Sequence, residues 1–392
     1  RPALEQDSKR NFKNMMNINL AHALMLNKQG IIPKEYTQKL LKGMLDLMDK
    51  GVGVLPMKTE YEDLFYNIEQ YLIAQLGMET AGKLHTARSR NDLGVTVIRM
   101  AVRDSILHIY PMIQELRRTI LKLANEQGDT ILTGYTHMQP AQPITLGYYL
   151  SAVAEALERD FQRITQAYSR LNECAMGACA FAGTGFDVDR AYVAELLGFD
   201  SPIENNMDSI AARDFLLELS ADLAIMGSTI NRFTHDLYYW GTNEFGYLEV
   251  DNSIAFSSSI MPQKKNPTTF EHVKAKTALL LGDFMSAAAV VKGIPFGHCK
   301  DMIEALTPFW SAADTMETIL ALLTITVNGL IIHKEGMKDR ADSNYCTATE
   351  LSDELVKTEG VSFRVAYQIV GSIVGDCVDA GLTCKDITTE ML

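Results

Sequence analysis

The sequence predicts an all-α protein whose centre is a bundle of long helices. Apolar residues recur at steps of three or four over long stretches, and only 11 of the 392 residues are proline. No stretch shows a convincing strand pattern of alternating apolar and polar residues, so we expect no strands. Helices of about 25–30 residues are typical of bundles whose elements run alongside one another.

Three apolar stripes predict three of these long helices. Pro111 lies within the first stripe without changing its phase, so we expect a kink there rather than a helix end. Apolar residues on more than one face suggest that a neighbouring subunit covers part of the helix surface. The stripes consist of Val95, Ile98, Val102, Ile106, Ile109, Ile113, Leu116, Ile120 and Leu123; of Leu146, Leu150, Val153, Leu157, Phe161, Ile164, Ala167 and Leu171; and of Leu216, Leu219, Leu223, Met226, Ile230, Phe233 and Leu237.

Composition and charge exclude several classes of protein. Hydrophobic residues make up 47% of the chain and charged residues 22%, which is ordinary for a globular protein. A net charge of −13 argues against a protein that binds nucleic acid or an anionic membrane, although a local basic pocket can still hold an anionic small substrate. The apolar tracts are too short to span a bilayer, and the polar residues 1–10 do not resemble a signal peptide.

Cysteine usage indicates a reduced, cytoplasmic setting. The six cysteines include no CxxC pair, so they predict neither a disulfide framework nor a zinc site. Cysteine and histidine spacing gives no metal-ligand pattern either. We therefore expect an enzyme that needs neither a metal nor an organic cofactor.

Chemistry-bearing residues collect in three polar segments between the helices. HTARSRND at residues 85–92 precedes the first long helix and is read either as an anion site or as a capping turn with solvated arginines. GYTHMQPAQP at residues 134–143 contains His137, which is either an acid or base or a structural residue. SSSIMPQKKNP at residues 257–267 is rich in donors and cations that would stabilise a serine alkoxide or a dianion, with a surface loop as the alternative.

Together the three segments resemble the signature regions of the fumarase/aspartase superfamily, whose members eliminate a group from a succinyl moiety and release fumarate. The match is closest to argininosuccinate lyases, which typically carry HTGRSRND, GYTHLQxAQP and GSSxMPQKKNP. Further matches at residues 21–23, 213–215, 244–246, 347–349 and 361–363 extend the resemblance over nearly the whole chain.

The resemblance implies a long helix bundle of the fumarase/aspartase type that forms a homotetrameric core, with smaller helical end domains. Each active site would then combine the three segments from three different subunits. We expect an N-terminal helical domain over residues 1–92, the central bundle with the signature loops over residues 93–335, and a C-terminal helical domain over residues 336–392.

The resemblance also assigns roles to individual positions. Ser258 matches the base that removes the Cβ proton, and Glu271 matches the glutamate that pairs with the signature histidine, His137. Lys264 and Asn266 match the groups that hold the substrate carboxylate and stabilise the aci-carboxylate intermediate. The positions expected to bind the substrate are Ser89, Arg90, Asn91, Thr136, Arg213 and Lys300 in addition to Asn266.

Departures from the family pattern concentrate in regions that touch the substrate. His298, Ile303 and Leu306 stand where argininosuccinate lyases usually have Tyr, Gln and Lys, although Lys300 is retained. The segment at residues 15–23 lacks the usual Asp and Ser, and Ser257 replaces a glycine. Loss of polar partners would weaken recognition of an arginine tail, so we expect faster fumarate release from another N-substituted aspartate.

Three functions therefore remain open from the sequence. The first is a carbon–nitrogen lyase acting on argininosuccinate or on an aspartate with a different amine, as in ethylenediamine-disuccinate lyase. The second is a lyase whose leaving group is not an amine, against which the QKKNP run argues. The third is a non-catalytic relative of the lens-crystallin kind, against which the intact Ser258, Lys264, Asn266 and His137 argue.

Overall fold

The computed structural model describes residues 2–391, and most of them lie in helices. Besides the N-terminal helix, five of the described helices have more than twenty residues, and three of these five carry the predicted apolar stripes. The α-helices are α1 (Pro2–Lys28), α2 (Lys34–Lys50), α3 (Leu64–Leu76), α4 (Met78–Ala81), α5 (Arg90–Glu126), α6 (Leu146–Leu171), α7 (Arg190–Leu196), α8 (Asn206–Ala211), α9 (Asp214–Trp240), α10 (Thr268–Val291), α11 (Leu306–Asn328), α12 (Lys334–Ser343), α13 (Ala348–Glu359) and α14 (Phe363–Asp379). Short 3₁₀ helices cover Val52–Val54, Thr59–Tyr61, Gly82–His85, Lys300–Ala305 and Cys384–Asp386.

The expectation of a chain without strands is wrong. Four two-stranded sheets occur within residues 2–391, and two of them contain a signature segment. The pairs are β1 (Ile131–Thr136) with β2 (Gln139–Thr145), antiparallel; β3 (Glu173–Cys174) with β4 (Ser201–Pro202), parallel; β5 (Leu248–Val250) with β8 (Leu330–Ile332), antiparallel; and β6 (Phe256–Ser257) with β7 (Lys265–Asn266), antiparallel.

The chain divides into two compact units, each made of three stretches of sequence. Unit 1 comprises Arg1–Tyr110, Gln162–Ala224 and Leu280–Asp314. Unit 2 comprises Pro111–Phe161, Ile225–Leu279 and Thr315–Leu392. The helices α5, α6, α9, α10 and α11 each contribute residues to both units.

The stripe in α5 is buried as its spacing predicts. Ile106, Ile109, Ile113 and Leu116 have no exposed surface. Residues 90–126 form one continuous helix that includes Pro111. Burial of a row of branched aliphatic side chains supplies about 1.5–3 kcal/mol for each, which exceeds the cost of the backbone hydrogen bond that proline removes.

Helices α1, α2 and α3 form an apolar core in unit 1. Their buried residues include Met16, Leu26, Leu40, Met44 and Ile68, which belong to one cluster of packed side chains. This cluster also contains Leu84 and Leu93, which flank the first signature segment. Packing of these two leucines therefore fixes both ends of that segment. Within residues 2–391, no helix combines the length and the apolar character that a membrane span requires.

His22 on α1 connects this core to the first signature segment. It is 1% exposed, and its Nε2 lies 2.8 Å from the carbonyl oxygen of Thr86. Burial and the nearby charges of Arg88 and His85 oppose protonation of His22 and lower its pKa to about 3. The bond to Thr86 acts in the other direction. His22 is thus neutral in the folded protein at pH 5, whereas an unfolded histidine with a pKa near 6.5 is mostly charged.

We expect His22 to make the protein less stable as the pH falls from 6.5 towards 3. Because the unfolded state binds the extra proton in this window, the loss amounts to about 2 kcal/mol at pH 5. His22→Gln keeps an N–H donor without a titrating ring, so its free energy of unfolding should fall by about 2 kcal/mol less than that of the wild type between pH 7 and pH 5. Urea unfolding at the two pH values measures this difference.

His333→Gln is the matched control, because it removes an exposed histidine and leaves His22 in place. It should keep the pH dependence of the wild type. Equal losses in wild type and His22→Gln would contradict the assignment of a buried, neutral His22.

Candidate active site

The first signature segment forms the N-terminus of α5. Ser89 precedes the helix, and its Oγ accepts a hydrogen bond from the N–H of Asn91 at 3.2 Å. Asp92 accepts a bond from the N–H of Ser89 at 2.9 Å, so the two side chains both cap the start of the helix. The segment therefore caps α5, but its arginines are not simply solvated, because Arg88 is buried and donates to Asn19 while Arg90 pairs with Glu62.

The carboxylate of Asp92 joins this segment to a second loop of unit 1. Its Oδ1 also accepts from the N–H of Leu93 at 3.0 Å, while its Oδ2 accepts from Gly177 at 3.1 Å and Cys179 at 2.9 Å. Asp92 has no exposed surface. Burial raises the pKa of Asp92, and the four backbone donors act in the opposite direction. The loop at residues 177–180 also accepts the Nδ2–H of Asn91 through the carbonyl of Ala180, at 3.1 Å.

Arg90 lies among acidic and aromatic side chains of unit 1. Its Nη1 donates to Glu62 at 2.9 Å and to Asp63 at 3.2 Å, and its guanidinium lies 4.5 Å from the ring centroid of Tyr66. The hydrogen bond to Glu62 raises the pKa of Arg90 and lowers that of Glu62. Neither acidic partner was identified from the sequence, because both lie in a separate stretch before α3.

Arg213 and Lys300 lie in the same unit and differ in exposure. Arg213 is 3% exposed and donates to the carbonyls of Ile210 at 3.2 Å and Ala212 at 2.6 Å. Burial, together with the charge of Arg99, lowers the pKa of Arg213 to about 10. Lys300 is exposed at the start of a 3₁₀ helix.

The charges of three cationic side chains act on His298. Burial lowers its pKa, and Arg213, Lys300 and Arg90 lower it further. The surroundings of His298 are therefore electropositive, which suits the binding of carboxylates. This clustering of cations around His298 could not be read from the sequence, because Arg90 and Arg213 are far from His298 along the chain.

The second signature segment is a β-hairpin in unit 2. Strands β1 and β2 are joined by the two residues His137 and Met138, which have φ of 53° and 59°. A two-residue hairpin loop with positive φ at both positions normally carries Asn or Gly, so this turn is strained. Thr136 ends β1, and the side chains of Thr136 and His137 are exposed.

The third signature segment is also a hairpin loop in unit 2, closed by β6 and β7. The Oγ of Ser258 accepts hydrogen bonds from the N–H groups of Ile260 at 3.3 Å and Met261 at 3.0 Å. Donors aimed at a hydroxyl oxygen favour its alkoxide form. Lys264 is exposed and forms no ion pair with any residue in the described part of the chain, whereas Lys265 pairs with Glu249 at 3.3 Å.

Glu271 lies in the first turn of α10 and accepts a hydrogen bond from the Tyr238 hydroxyl at 3.2 Å. Within one chain, no hydrogen bond joins His137 to any group among residues 2–391, so the expected pair of His137 and Glu271 is not formed there. Tyr238 was not identified from the sequence. Because Tyr238 is far from Glu271 along the chain, no local sequence pattern indicated that the two would be bonded.

The candidate residues thus fall into two sets. Unit 1 holds Ser89, Arg90, Asn91, Arg213 and Lys300, and unit 2 holds Thr136, His137, Ser258, Lys264, Asn266 and Glu271. The first set contains cations and helix N–H groups that suit carboxylates, and the second contains a hydroxyl, an ammonium group, an imidazole and a carboxylate. Among residues 2–391, no cluster of three or more His, Cys, Asp or Glu side chains is arranged to hold a metal ion.

Comparisons with known proteins identify the family. Residues 4–282 match the family described as lyase, and residues 345–392 match the family described as argininosuccinate lyase C-terminal. Argininosuccinate lyase 1 of Shouchella clausii is 41% identical over 97% of this chain and 77% of its own length. The argininosuccinate lyase of Methanocaldococcus jannaschii is 39% identical over 95% of this chain and 77% of its own length.

Solved structures show the same architecture. A variant of EDDS lyase with bound fumarate superposes with a TM-score of 0.88 at 30% identity and covers 98% of this chain and 76% of that one. A fumarate lyase from Mesorhizobium shares the fold, with a TM-score of 0.80 at 20% identity over 95% of this chain. The mainly helical fold is therefore that of the fumarase/aspartase proteins, as predicted. With both family matches and these relatives covering nearly all of its length, the chain belongs to the argininosuccinate lyase family of carbon–nitrogen lyases, which release fumarate.

Proposed function

We propose that the chain eliminates an amine from an N-substituted aspartate with Ser258 as the base. The observation that carries this proposal is the pair of backbone N–H groups, from Ile260 and Met261, that point at the Ser258 Oγ. A serine hydroxyl is a weak base unless its negative form is stabilised, and two fixed donors supply that stabilisation.

The elimination proceeds in two steps. The Ser258 Oγ takes a proton from Cβ, and the electron pair moves into the adjacent carboxylate to give an aci-carboxylate dianion. Lys264 and Asn266 hold this dianion, and Lys264 is suited to it because no acidic side chain of the described chain pairs with it. The electron pair then forms the Cα=Cβ bond of fumarate as the C–N bond breaks. The departing nitrogen receives a proton for which His137, supported by Glu271, is a candidate donor; orientation of the substrate is its alternative role.

The succinyl half of the substrate binds to the N-terminus of α5 and to nearby cations. Ser89, Arg90, Asn91 and Thr136 contact its carboxylates, and Arg213 and Lys300 add positive charge. Arg90 is already bonded to Glu62 and Asp63, so a substrate carboxylate must share its guanidinium or displace these partners. Arginine has five N–H donors and can serve more than one carboxylate.

The working assembly is a homotetramer whose sites combine segments from different chains. The missing bond between His137 and Glu271 within one chain supports this proposal. Helix α10 also exposes large apolar side chains, with 55% of Leu279, 59% of Leu281 and 59% of Met285 accessible. Exposed apolar rows of this kind mark subunit interfaces. The division into domains over residues 1–92, 93–335 and 336–392 remains part of the proposal.

Argininosuccinate is the substrate that the relatives support, and a different amine is the second candidate. Ile303 is 42% exposed on the Lys300–Ala305 helix, where it offers no hydrogen bond to an arginine tail. The structural match to EDDS lyase favours the same alternative. A panel of amines incubated with fumarate, followed by the loss of fumarate absorbance, distinguishes arginine from ethylenediamine as the partner.

Ser258→Ala should reduce kcat by at least a thousandfold, because it removes the base, while the helical circular dichroism signal and the oligomeric state stay unchanged. The rise in absorbance as fumarate forms from argininosuccinate measures kcat. Ser259→Ala is the matched control, since it removes the neighbouring exposed hydroxyl and should keep wild-type activity. More than about a tenth of wild-type activity in Ser258→Ala would exclude Ser258 as the base.

Inactive variants of different segments should complement one another. When Ser258→Ala chains are unfolded and reassembled with Arg90→Ala or His137→Ala chains, some sites regain all three intact segments and fumarate release returns. Ser258→Ala mixed with Lys264→Ala is the control, because both changes lie in one segment and no site can be restored. Light scattering that shows an active monomer would contradict the shared site.

Ile303→Gln together with Leu306→Lys tests the choice of amine. If these positions have diverged from arginine recognition, restoring the polar groups should raise kcat/KM for argininosuccinate at least tenfold, since each unpaired polar group costs about 1–3 kcal/mol. Steady-state kinetics on argininosuccinate measures the change. A wild-type kcat/KM on the order of 10⁴ M⁻¹s⁻¹ or more, not improved by the substitutions, would instead assign argininosuccinate as the native substrate.

A further inference from the structure

The hairpin of β1 and β2 presents Thr136 and His137, and β1 packs against α12 with Leu132 buried. It borders a cavity of about 320 Å³ whose other walls include Tyr149, Asp236 and Trp240. A hairpin that stands over a cavity cannot take its position from close packing alone. Specific contacts therefore contribute to its position beside the packing, among them the bond that Gln142 of β2 donates to Glu350 at 2.9 Å.

The turn of the hairpin adds a conformational demand. Both His137 and Met138 have positive φ, a region that non-glycine residues occupy only when their surroundings hold them there. The register between β1 and β2 shifts at Gly134, where an added Cβ would lie 2.8 Å from the carbonyl oxygen of Gln142. Gly134 thus allows the bulge that sets the direction of the last residues of β1.

Tyr135 is the first residue after this bulge and directly precedes Thr136. Its hydroxyl lies 3.0 Å from the hydroxyl of Tyr247, and no other side-chain hydrogen bond holds β1 so close to the turn within the described residues. Tyr247 has no exposed surface and packs edge-on against Phe245, which also contacts the Tyr135 ring at 5.8 Å between centroids. The backbone of Tyr247 is fixed as well, because its N–H donates to Trp240 and its carbonyl accepts from His333.

We propose that Tyr247 is a positioning residue for the lyase reaction, which acts through the hydroxyl of Tyr135 to hold Thr136 and His137 at the substrate. Tyr247 is held rigidly, the turn at His137 and Met138 is strained, and Tyr135 connects the two. The inference rests on the proposed roles of Thr136 and His137, and nothing in Tyr247 itself contacts the substrate. Displacement of catalytic groups by a fraction of an ångström suffices to lower the rate.

The test compares Tyr247→Phe, Tyr135→Phe and the double variant with wild type. Each single change leaves one buried hydroxyl without its partner, and the double variant removes both hydroxyls, so it should recover any loss of melting temperature. We expect kcat/KM for argininosuccinate to fall about tenfold in all three, with the double variant no more active than the singles. Tyr110→Phe is the matched control, because it removes a tyrosine bond to the carbonyl of Ile164 away from the hairpin, and it should keep wild-type activity.

Two results would overturn the inference. One is a double variant that regains wild-type kcat/KM together with its melting temperature, since the hydroxyls would then matter only for stability. The other is activity within twofold of Tyr110→Phe in every variant. Thr136→Ala and His137→Ala, measured in parallel, distinguish failure of the proposed hairpin roles from failure of the Tyr247 role. If these two variants retain wild-type activity, the proposed roles of Thr136 and His137 are wrong. If they lose activity and the tyrosine variants do not, only the positioning role of Tyr247 is wrong.

Discussion

The buried carboxylate of Asp92 is the constraint on which the first half of the candidate site depends. It accepts four backbone N–H groups, two from the start of α5 and two from the loop at residues 177–179. Breaking such a bond in a buried place leaves a polar group unpaired, at a cost of about 1–3 kcal/mol each. The carboxylate therefore holds Ser89 and Asn91 at the helix N-terminus, where the proposed function places the succinyl half of the substrate.

The second half of the site is held differently. Its two segments are hairpin loops, and their functional residues are exposed rather than buried. In one loop the Ser258 hydroxyl is itself the acceptor that organises the turn, so the proposed base and the loop conformation are linked. In the other, strain at His137 and Met138 persists because the strands below it are fixed. Residues that must meet a substrate thus lie on loops positioned by more rigid neighbours.

The sequence predicted the helices well and the hairpins not at all. Apolar steps of three and four report burial along a helix, and the stripes of α5, α6 and α9 were all found. Strand β2 carries Pro140 and Pro143, and its residues do not alternate in burial, so no pattern indicated a strand there. Contacts between residues that are distant in the sequence could not be predicted either. Glu62 beside Arg90 and Tyr238 beside Glu271 depend on tertiary contacts that no local rule encodes, whereas a capping turn before α5 was one of the two interpretations of its segment.

Charge distribution explains how so acidic a chain can serve a dianionic substrate. The net charge is −13, yet Arg90, Arg213 and Lys300 all bias His298 towards its neutral form. A substrate with two carboxylates would reverse that bias, because each anion favours a protonated imidazole beside it. Carboxylates bound among these cations would therefore oppose the lowering of the His298 pKa. A histidine can carry a positive charge and a tyrosine cannot, so the replacement of tyrosine by His298 disfavours a cationic amine nearby and bears on the proposed choice of leaving group.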